Sequence, residues 1–233
     1  MCDAPTHILL VEDDDALATL LMDYLNLHGF TLTHERRGEH AVGRIVASPP
    51  TLVLLDLMLP GFNGLDVCRS VRNVFDGAIL MLTASQSAAD HVTALELGCD
   101  DFVTKPIEPR VLLARIRTQL RRFQHAMDTP QTDGFIDAGP LRIDVKARDV
   151  TVDGQTVRLT TMEYDVLLML AHNAGRVVGR DALYQELMGI SYDGLDRGID
   201  VHVSRIRRKL KHAGFTPRLL KSVRGVGYLL AAR

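Results

Sequence analysis

The chain has 233 residues, 46% of them hydrophobic and 24% charged, enough apolar material for a packed core in each of two ordinary domains. No apolar run approaches the 18 residues of a membrane span, and the N-terminal "MCDAPTHILL" lacks the basic-then-hydrophobic pattern of a signal peptide, so neither is expected. Three cysteines, Cys2, Cys68 and Cys99, without disulfide or zinc spacing, point to a reducing cytoplasm. The net charge of −2 conceals an asymmetry: residues 1–120 hold 9 Lys and Arg against 16 Asp and Glu, whereas residues 121–233 hold 18 against 13. Nine basic residues and one acid, Asp200, lie between Arg197 and Arg224, a pattern suited to a polyanion or to a solvated helix face.

In chain order, strand-like runs at 7–11, 30–34, 51–55, 78–82 and 101–104 alternate with helical patterns at about 15–28, 38–47, 64–74, 88–97 and 108–122. Strands this apolar, joined by helices, predict a parallel sheet covered on both faces. Five βα units in about 120 residues predict an α/β, flavodoxin-like domain with strand order 2-1-3-4-5. Residues 123–137 lose periodicity and read as a linker between a domain at 1–122 and another at 138–233. The second domain begins with strand-like pieces and an Asp153-Gly154 turn signal. A capping box, Thr160 with Glu163, opens a helix over "VLLML". Further helices fit about 180–188 and 196–213, and the hairpin "LLKSVRGVGYLL" closes an α+β unit.

The sequence "LVLLDLMLPGFNG" ends an apolar strand on Asp56, where an ionised group is costly to bury. Its position makes sense beside the other strand ends. In a doubly wound sheet the carboxyl ends form the ligand edge, and Glu12, Asp13, Asp56, Thr83 and Lys105 all fall there. Three carboxylates repel one another unless a cation joins them, and Mg2+, which needs few protein ligands, suits an open oxygen cluster. Asp56, central among them, is the candidate nucleophile toward a phosphoryl group, with Thr83 and Lys105 on its oxygens. Any one of these residues alone is better read as a cap or turn. Five at successive strand ends are not.

In the last long helix, Ile199, Val203, Ile206 and Leu210 form a buried stripe at spacings of 4, 3 and 4. At about 100° per residue, Val201, Ser204, Arg205 and Arg208 are expected on the opposite face, with His202 to one side. That arrangement suits a major-groove reader. Arg205 is the expected base contact, Arg197, His202 and Arg207 are expected on phosphates, and Arg224 in the hairpin is expected to enter a minor groove.

The segments "ILLVEDDDAL", "LLDLMLPGFNG", "MLTA" and "GCDDFVTKP" resemble the receiver domain of bacterial two-component response regulators. "RGIDVHVSRIRRKL" and "VRGVGYLL" resemble the winged helix-turn-helix of the OmpR/PhoB class, and "GISYDGLDRGIDVHVSRIRRKL" is especially similar to its RstA-type members. The resemblance implies that Asp56 is phosphorylated by a sensor histidine kinase. It implies Mg2+ held by Glu12, Asp13, Asp56 and the Met58 carbonyl, a Thr83–Phe102 switch pair, Lys105 on the phosphate, and a cis Lys105–Pro106 bond. It further implies a phosphorylation-dependent homodimer whose cross-subunit pairs draw on Glu96, Asp100 and Asp101 against Arg115, Arg117 and Arg122. His91 and Val111 stand where relatives often carry a basic and an acidic residue, Phe102 where many carry Tyr, and Ser204 where several carry Arg. Double-stranded DNA is the implied partner, and residues 188–195 imply a contact with RNA polymerase. Two other readings fit less well. An aspartyl-phosphate hydrolase needs a second acid two residues after Asp56, where Met58 stands. A receiver with a protein-binding output leaves the basic stripe unexplained.

Overall fold

The computed structural model describes residues 6–85, 87–128, 134–192, 194, 197–216 and 219–231, without the side chains of 88, 89 and 121–128. It divides into two compact units, Met1–Leu120 and Arg121–Arg233.

The first unit alternates strands and helices: β1 (His7–Val11), α1 (Asp15–Leu27), β2 (Thr31–Glu35), α2 (Gly38–Ala47), β3 (Leu52–Asp56), α3 (Gly64–Val71), β4 (Ala78–Thr83), α4 (Ala88–Leu97), β5 (Asp101–Thr104) and α5 (Pro109–Asp128). The five strands form one parallel sheet in the order β2-β1-β3-β4-β5. Every residue of β3 and β4 is buried, as expected of central strands covered on both faces. Asp14 caps α1 by accepting from the Ala16 and Leu17 amides, and Asn63 caps α3 through Asp66 N. Gly98 ends α4 at φ +123°, and a Cβ there would stand 2.2 Å from Arg72 Cγ. That close approach lets Arg72, itself buried, act as a clasp. Its guanidinium donates to the carbonyls of Gly98, Phe75 and Gly77 and pairs with Asp100 at 2.7 Å.

The second unit opens with an antiparallel meander, β6 (Phe135–Ala138), β7 (Leu141–Asp144), β8 (Asp149–Val152) and β9 (Gln155–Thr156). Asp153 and Gly154 both take positive φ (48° and 83°) in the tight β8–β9 turn, as their sequence predicts. Then follow α6 (Thr161–His172), β10 (Val178–Gly179), α7 (Arg180–Met188), α8 (Gly198–His212) and a hairpin of β11 (Leu220–Val223) and β12 (Gly227–Leu230), with β12 pairing both β10 and β11. One core gathers Ile143 and Val152 from the meander, Val166 and Leu170 from α6, Leu183 and Tyr184 from α7, and the whole Ile199-Val203-Ile206-Leu210 stripe from α8.

The segment 123–137 differs from its linker reading. Helix α5 continues to Asp128, and β6 begins at Phe135. Loss of apolar periodicity did not stop the helix because "RRFQHAMD" contains good helix formers and no Gly or Pro.

Candidate functional site

The parallel order brings the carboxyl ends of β1, β3, β4 and β5 to one edge. Glu12 follows β1 directly, with its backbone N–H bonded to the Glu35 carbonyl and its own carbonyl 2.7 Å from His34 Nε2. Asp56 is the last residue of β3, in register with Leu82 of β4. Ligand oxygens of Glu12, Asp13 and Asp56 all lie within 4.8 Å of one another; Glu12 and Asp56 are buried and Asp13 is exposed. Lys105, after β5, reaches across: its Nζ lies 2.9 Å from Glu12 Oε2 and 3.1 Å from Asp56 Oδ1. The Lys105–Pro106 peptide is cis, as the family resemblance implies.

Asp56 stands at the ligand edge of the sheet, yet it is buried there. It is only 2% exposed. Its charge is tolerated because the Lys105 ammonium lies alongside, not because water reaches it. Three carboxylates facing one ammonium still leave an excess of negative charge. Burial, with the Asp56 charge adding to it, pushes the Glu12 carboxyl above the ordinary carboxylate range, against the pull of Lys105. Lys105, despite its own burial, is pushed above the usual ammonium value by bonding to Glu12 and by the Asp56 charge. The donors are all hard oxygens and the charge is unbalanced, so the cluster fits a divalent ion of the Mg2+ kind.

The loop after β3 folds back onto the site. A Cβ on Gly64 would stand 2.3 Å from the Asp56 carbonyl oxygen, so only glycine allows the start of α3 to approach so closely. Met58 lies in that loop with its side chain 70% exposed, which leaves its backbone as the ligand it can offer a hard cation. Thr83, the buried last residue of β4, accepts the Ser85 N–H at Oγ1, 3.0 Å away. Phe102 on β5 is half-buried, and its ring stacks on His91 of α4 with centroids 3.8 Å apart. The His91 ring also lies 2.9 Å, through Nε2, from the Ser85 carbonyl.

Several residues expected on a dimer face are engaged within the chain. Asp100 is buried, paired with Arg72, and accepts the Ile79 N–H, so it is not a surface acid. Asp101 accepts from Arg115 of the same chain at 2.6 and 2.8 Å. Glu96, Arg117 and Val111 are exposed on α4 and α5, and the Arg122 side chain lies outside the described residues.

On α8 the stripe of Ile199, Val203, Ile206 and Leu210 is buried as predicted, but the opposite face is narrower than the helical wheel implies. Arg205 is 5% exposed and its guanidinium pairs with Glu163 of α6 at 2.9 Å; it is therefore not presented to a base. Glu163, fully buried, also completes the capping box with Thr160 and receives Lys209 Nζ at 2.7 Å. His202 is fully buried and Val201 nearly so, which removes His202 from the phosphate-contacting set. Arg207 is half-buried and docks on the hairpin, donating to the Leu220 carbonyl and Ser222 Oγ. Ser204 and Arg208 are exposed, as are Arg197 and, in the hairpin turn, Arg224. Lys211, which sequence reasoning passed over, extends the exposed line. Its signal is the spacing of 4 and 3 through Ser204, Arg208 and Lys211. At the N-terminal end of α8, Asp200 accepts from Arg180, Arg197 and the Tyr228 hydroxyl, tying helix, hairpin and α7 together. Burial would raise the Asp200 carboxyl, but these donors outweigh it and hold the group below its usual range. Residues 193 and 195, in the 188–195 stretch, lie outside the described residues.

An α/β receiver with an acidic edge, followed by a helix-and-hairpin domain with a basic helix, defines a class of signalling protein, and comparison with known proteins agrees. Residues 8–117 match the response regulator receiver domain, and residues 154–230 match the C-terminal domain of transcriptional regulatory proteins. The sensory transduction protein RegX3 of Mycolicibacterium smegmatis is 42% identical over 225 residues, covering 97% of this chain and 99% of RegX3. The transcriptional regulatory protein RstA of Escherichia coli is 41% identical over 231 residues, covering 96% and 97%. Among solved structures, the response regulator DrrB of Thermotoga maritima, an OmpR/PhoB homologue, matches with a TM-score of 0.52 at 29% identity, covering 98% of this chain and 100% of DrrB. The chain belongs to the OmpR/PhoB family of response regulators, with an N-terminal receiver and a C-terminal DNA-binding domain that serves transcription regulation. No helix among the described residues is long and apolar enough to cross a membrane.

Proposed function

We propose that this protein acts in the cytoplasm, that its Asp56 accepts a phosphoryl group from the phosphohistidine of a sensor histidine kinase, and that this promotes receiver dimerisation and sequence-specific binding to double-stranded DNA. The observation that carries the reading is the Lys105 ammonium shared between buried Glu12 and buried Asp56 at the sheet's ligand edge. Lys105 places a positive charge 3.1 Å from the candidate nucleophile, where phosphoryl oxygens would gather. In the transfer, an Asp56 Oδ forms a bond to phosphorus as the phosphorus–nitrogen bond of the donor breaks. The departing imidazole keeps the electron pair and takes up a proton. Mg2+, held by Glu12, Asp13, Asp56 and the Met58 carbonyl, would supply the charge that neutralises carboxylate and phosphoryl oxygens together. Lys105 then shifts from carboxylates to phosphoryl oxygen, and the Thr83 hydroxyl turns toward the same group.

Met58 stands where a general acid would be needed to turn over other substrates, so the receiver assists its own phosphotransfer and dephosphorylation and is not an enzyme acting on other molecules. Dimerisation uses the α4–β5–α5 face, with Glu96, Arg117, Val111 and the half-buried His91 as available surface. Asp101 and Arg115 join it only by exchanging their internal pair for a cross-subunit one. On DNA, Ser204 and Arg208 read bases in the major groove, Arg197 and Lys211 hold phosphates, and Arg224 enters the minor groove. RNA polymerase is a further partner through the segment before α8.

A small phosphodonor such as acetyl phosphate, with Mg2+, should phosphorylate the wild-type chain and leave Asp56→Asn unlabelled by intact-mass measurement. Equal labelling of both chains overturns the assignment of Asp56.

A further inference from the structure

A short line of contacts joins the acidic edge to the α4–β5 face, and phosphotransfer makes no use of it. Thr83 Oγ1 accepts the Ser85 N–H at 3.0 Å. The Ser85 carbonyl faces His91 Nε2 at 2.9 Å, and because a carbonyl only accepts, that nitrogen carries the proton. The His91 ring then stacks on Phe102 at 3.8 Å and 24°. The Ser85 hydroxyl donates to Asp90 at 2.5 Å and accepts the Ser87 N–H at 3.1 Å, so Ser85 is tied to the start of α4 as well as to Thr83.

Phe102 has no polar atom of its own, and the ring it stacks on is in turn anchored to the turn that Thr83 holds. We propose that His91 is a positioning residue that couples Thr83 to Phe102, fixing the Phe102 rotamer by stacking and taking its own place from the Ser85 carbonyl. When the Thr83 hydroxyl leaves the Ser85 N–H, that donor must find another acceptor, because an unmade bond is costly. The turn re-seats, the Ser85 carbonyl moves with it, and His91 follows or loses its anchor. Dispersion between the rings falls steeply with separation, so a small slide of the imidazole frees Phe102. The step that brings Thr83 to a phosphoryl group rests on the function proposed above. The coupling itself is a property of the unphosphorylated chain and can be tested there.

The test uses the full chain with 13C-labelled phenylalanine, the Phe102 ring resonance being assigned by its loss in Phe102→Leu. Thr83→Ala removes the acceptor, His91→Phe keeps an aromatic ring without the N–H, and His91→Gln keeps an N–H donor without the ring. In the wild-type background, Thr83→Ala is expected to shift the Phe102 resonance, whereas in the His91→Phe background the same substitution leaves it in place. His91→Gln removes the ring-current displacement of Phe102, and with it the response of that resonance to Thr83→Ala. A merely structural His91 would alter Phe102 without abolishing its response to Thr83. The coupling is overturned if Phe102 responds to Thr83→Ala equally in both backgrounds, or in neither. Phosphate incorporation is followed separately by mass, so failure of Asp56 to label overturns the phosphoacceptor reading and leaves the Thr83→Ala comparison to judge the coupling.

Discussion

Each unit of this protein buries carboxylates beside cations, and the two arrangements have opposite consequences. In the receiver, Glu12, Asp13 and Asp56 cluster with one ammonium among the described residues, that of Lys105 on Glu12 and Asp56, so negative charge is in excess and the Glu12 carboxyl is pushed upward by burial and by Asp56. In the DNA-binding domain, the lone carboxylate of Glu163 faces both Arg205 and Lys209 and also closes a helix cap. The first cluster opens to solvent through exposed Asp13 and is chemically incomplete. The second centres on a fully buried carboxylate paired with two cations of α8, and it holds α8 on α6. Burial of charge is common to both. What separates a reactive site from a structural clamp here is the sign of the excess: carboxylates outnumber the cation in the first, and cations outnumber the carboxylate in the second.

The largest expected effect tests the closed cluster. Glu163→Gln removes the buried carboxylate that pairs with Arg205 and Lys209 and should destabilise the C-terminal unit by about 3–5 kcal/mol in denaturant unfolding of the full chain. A loss near zero would mean that the cluster is no clamp. Lys105→Ala removes the cation beside buried Glu12 and Asp56, but it vacates a side chain that is itself 23% exposed and so lets water in, and the expected loss in the receiver is smaller, about 1–3 kcal/mol. Saturating Mg2+ should restore part of that loss and leave the C-terminal unit's transition where it was. Arg208→Ala and Arg205→Ala separate recognition from support. The first should weaken DNA binding by about 1–2 kcal/mol in a mobility-shift assay without moving the unfolding transition. The second should lower stability, and its effect on binding follows from that. The smallest effect concerns pH. The Asp200 carboxyl, held below its unfolded value of 3.8, binds fewer protons in the folded chain. Its contribution, at most about 1 kcal/mol, is therefore complete above that value and is lost as pH falls through the folded one. Acid titration of wild type against Asp200→Asn should show two stabilities that converge in that range; a constant difference down to lower pH would contradict it.

Much of the fold was legible in the sequence because it depends on local periodicity. The all-apolar runs of β3 and β4, the Asp153-Gly154 turn and the Thr160–Glu163 capping box each follow from backbone chemistry within a few residues. The acidic edge was legible for a related reason: once strand order is set, strand ends converge by topology, so Glu12, Asp56, Thr83 and Lys105 had to meet. The end of α5 was not, since falling amphipathicity marks the edge of a core rather than the end of a helix.

The side chains misjudged were long cations and acids beside an apolar stripe. A helical wheel assigns Arg205 an angle but cannot tell whether the guanidinium meets water or a carboxylate from another helix, and only the packing of α6 on α8 supplied Glu163. The same holds for Asp100, whose partner Arg72 arrives from α3–β4, and for His202, which the core covers completely. The order of apolar and polar residues determined the elements, the parallel sheet and the set of groups at its ligand edge. The tertiary structure decided which charges are free to act, because a charge is committed or available according to what lies within about 4 Å of it, and those neighbours come from distant parts of the chain.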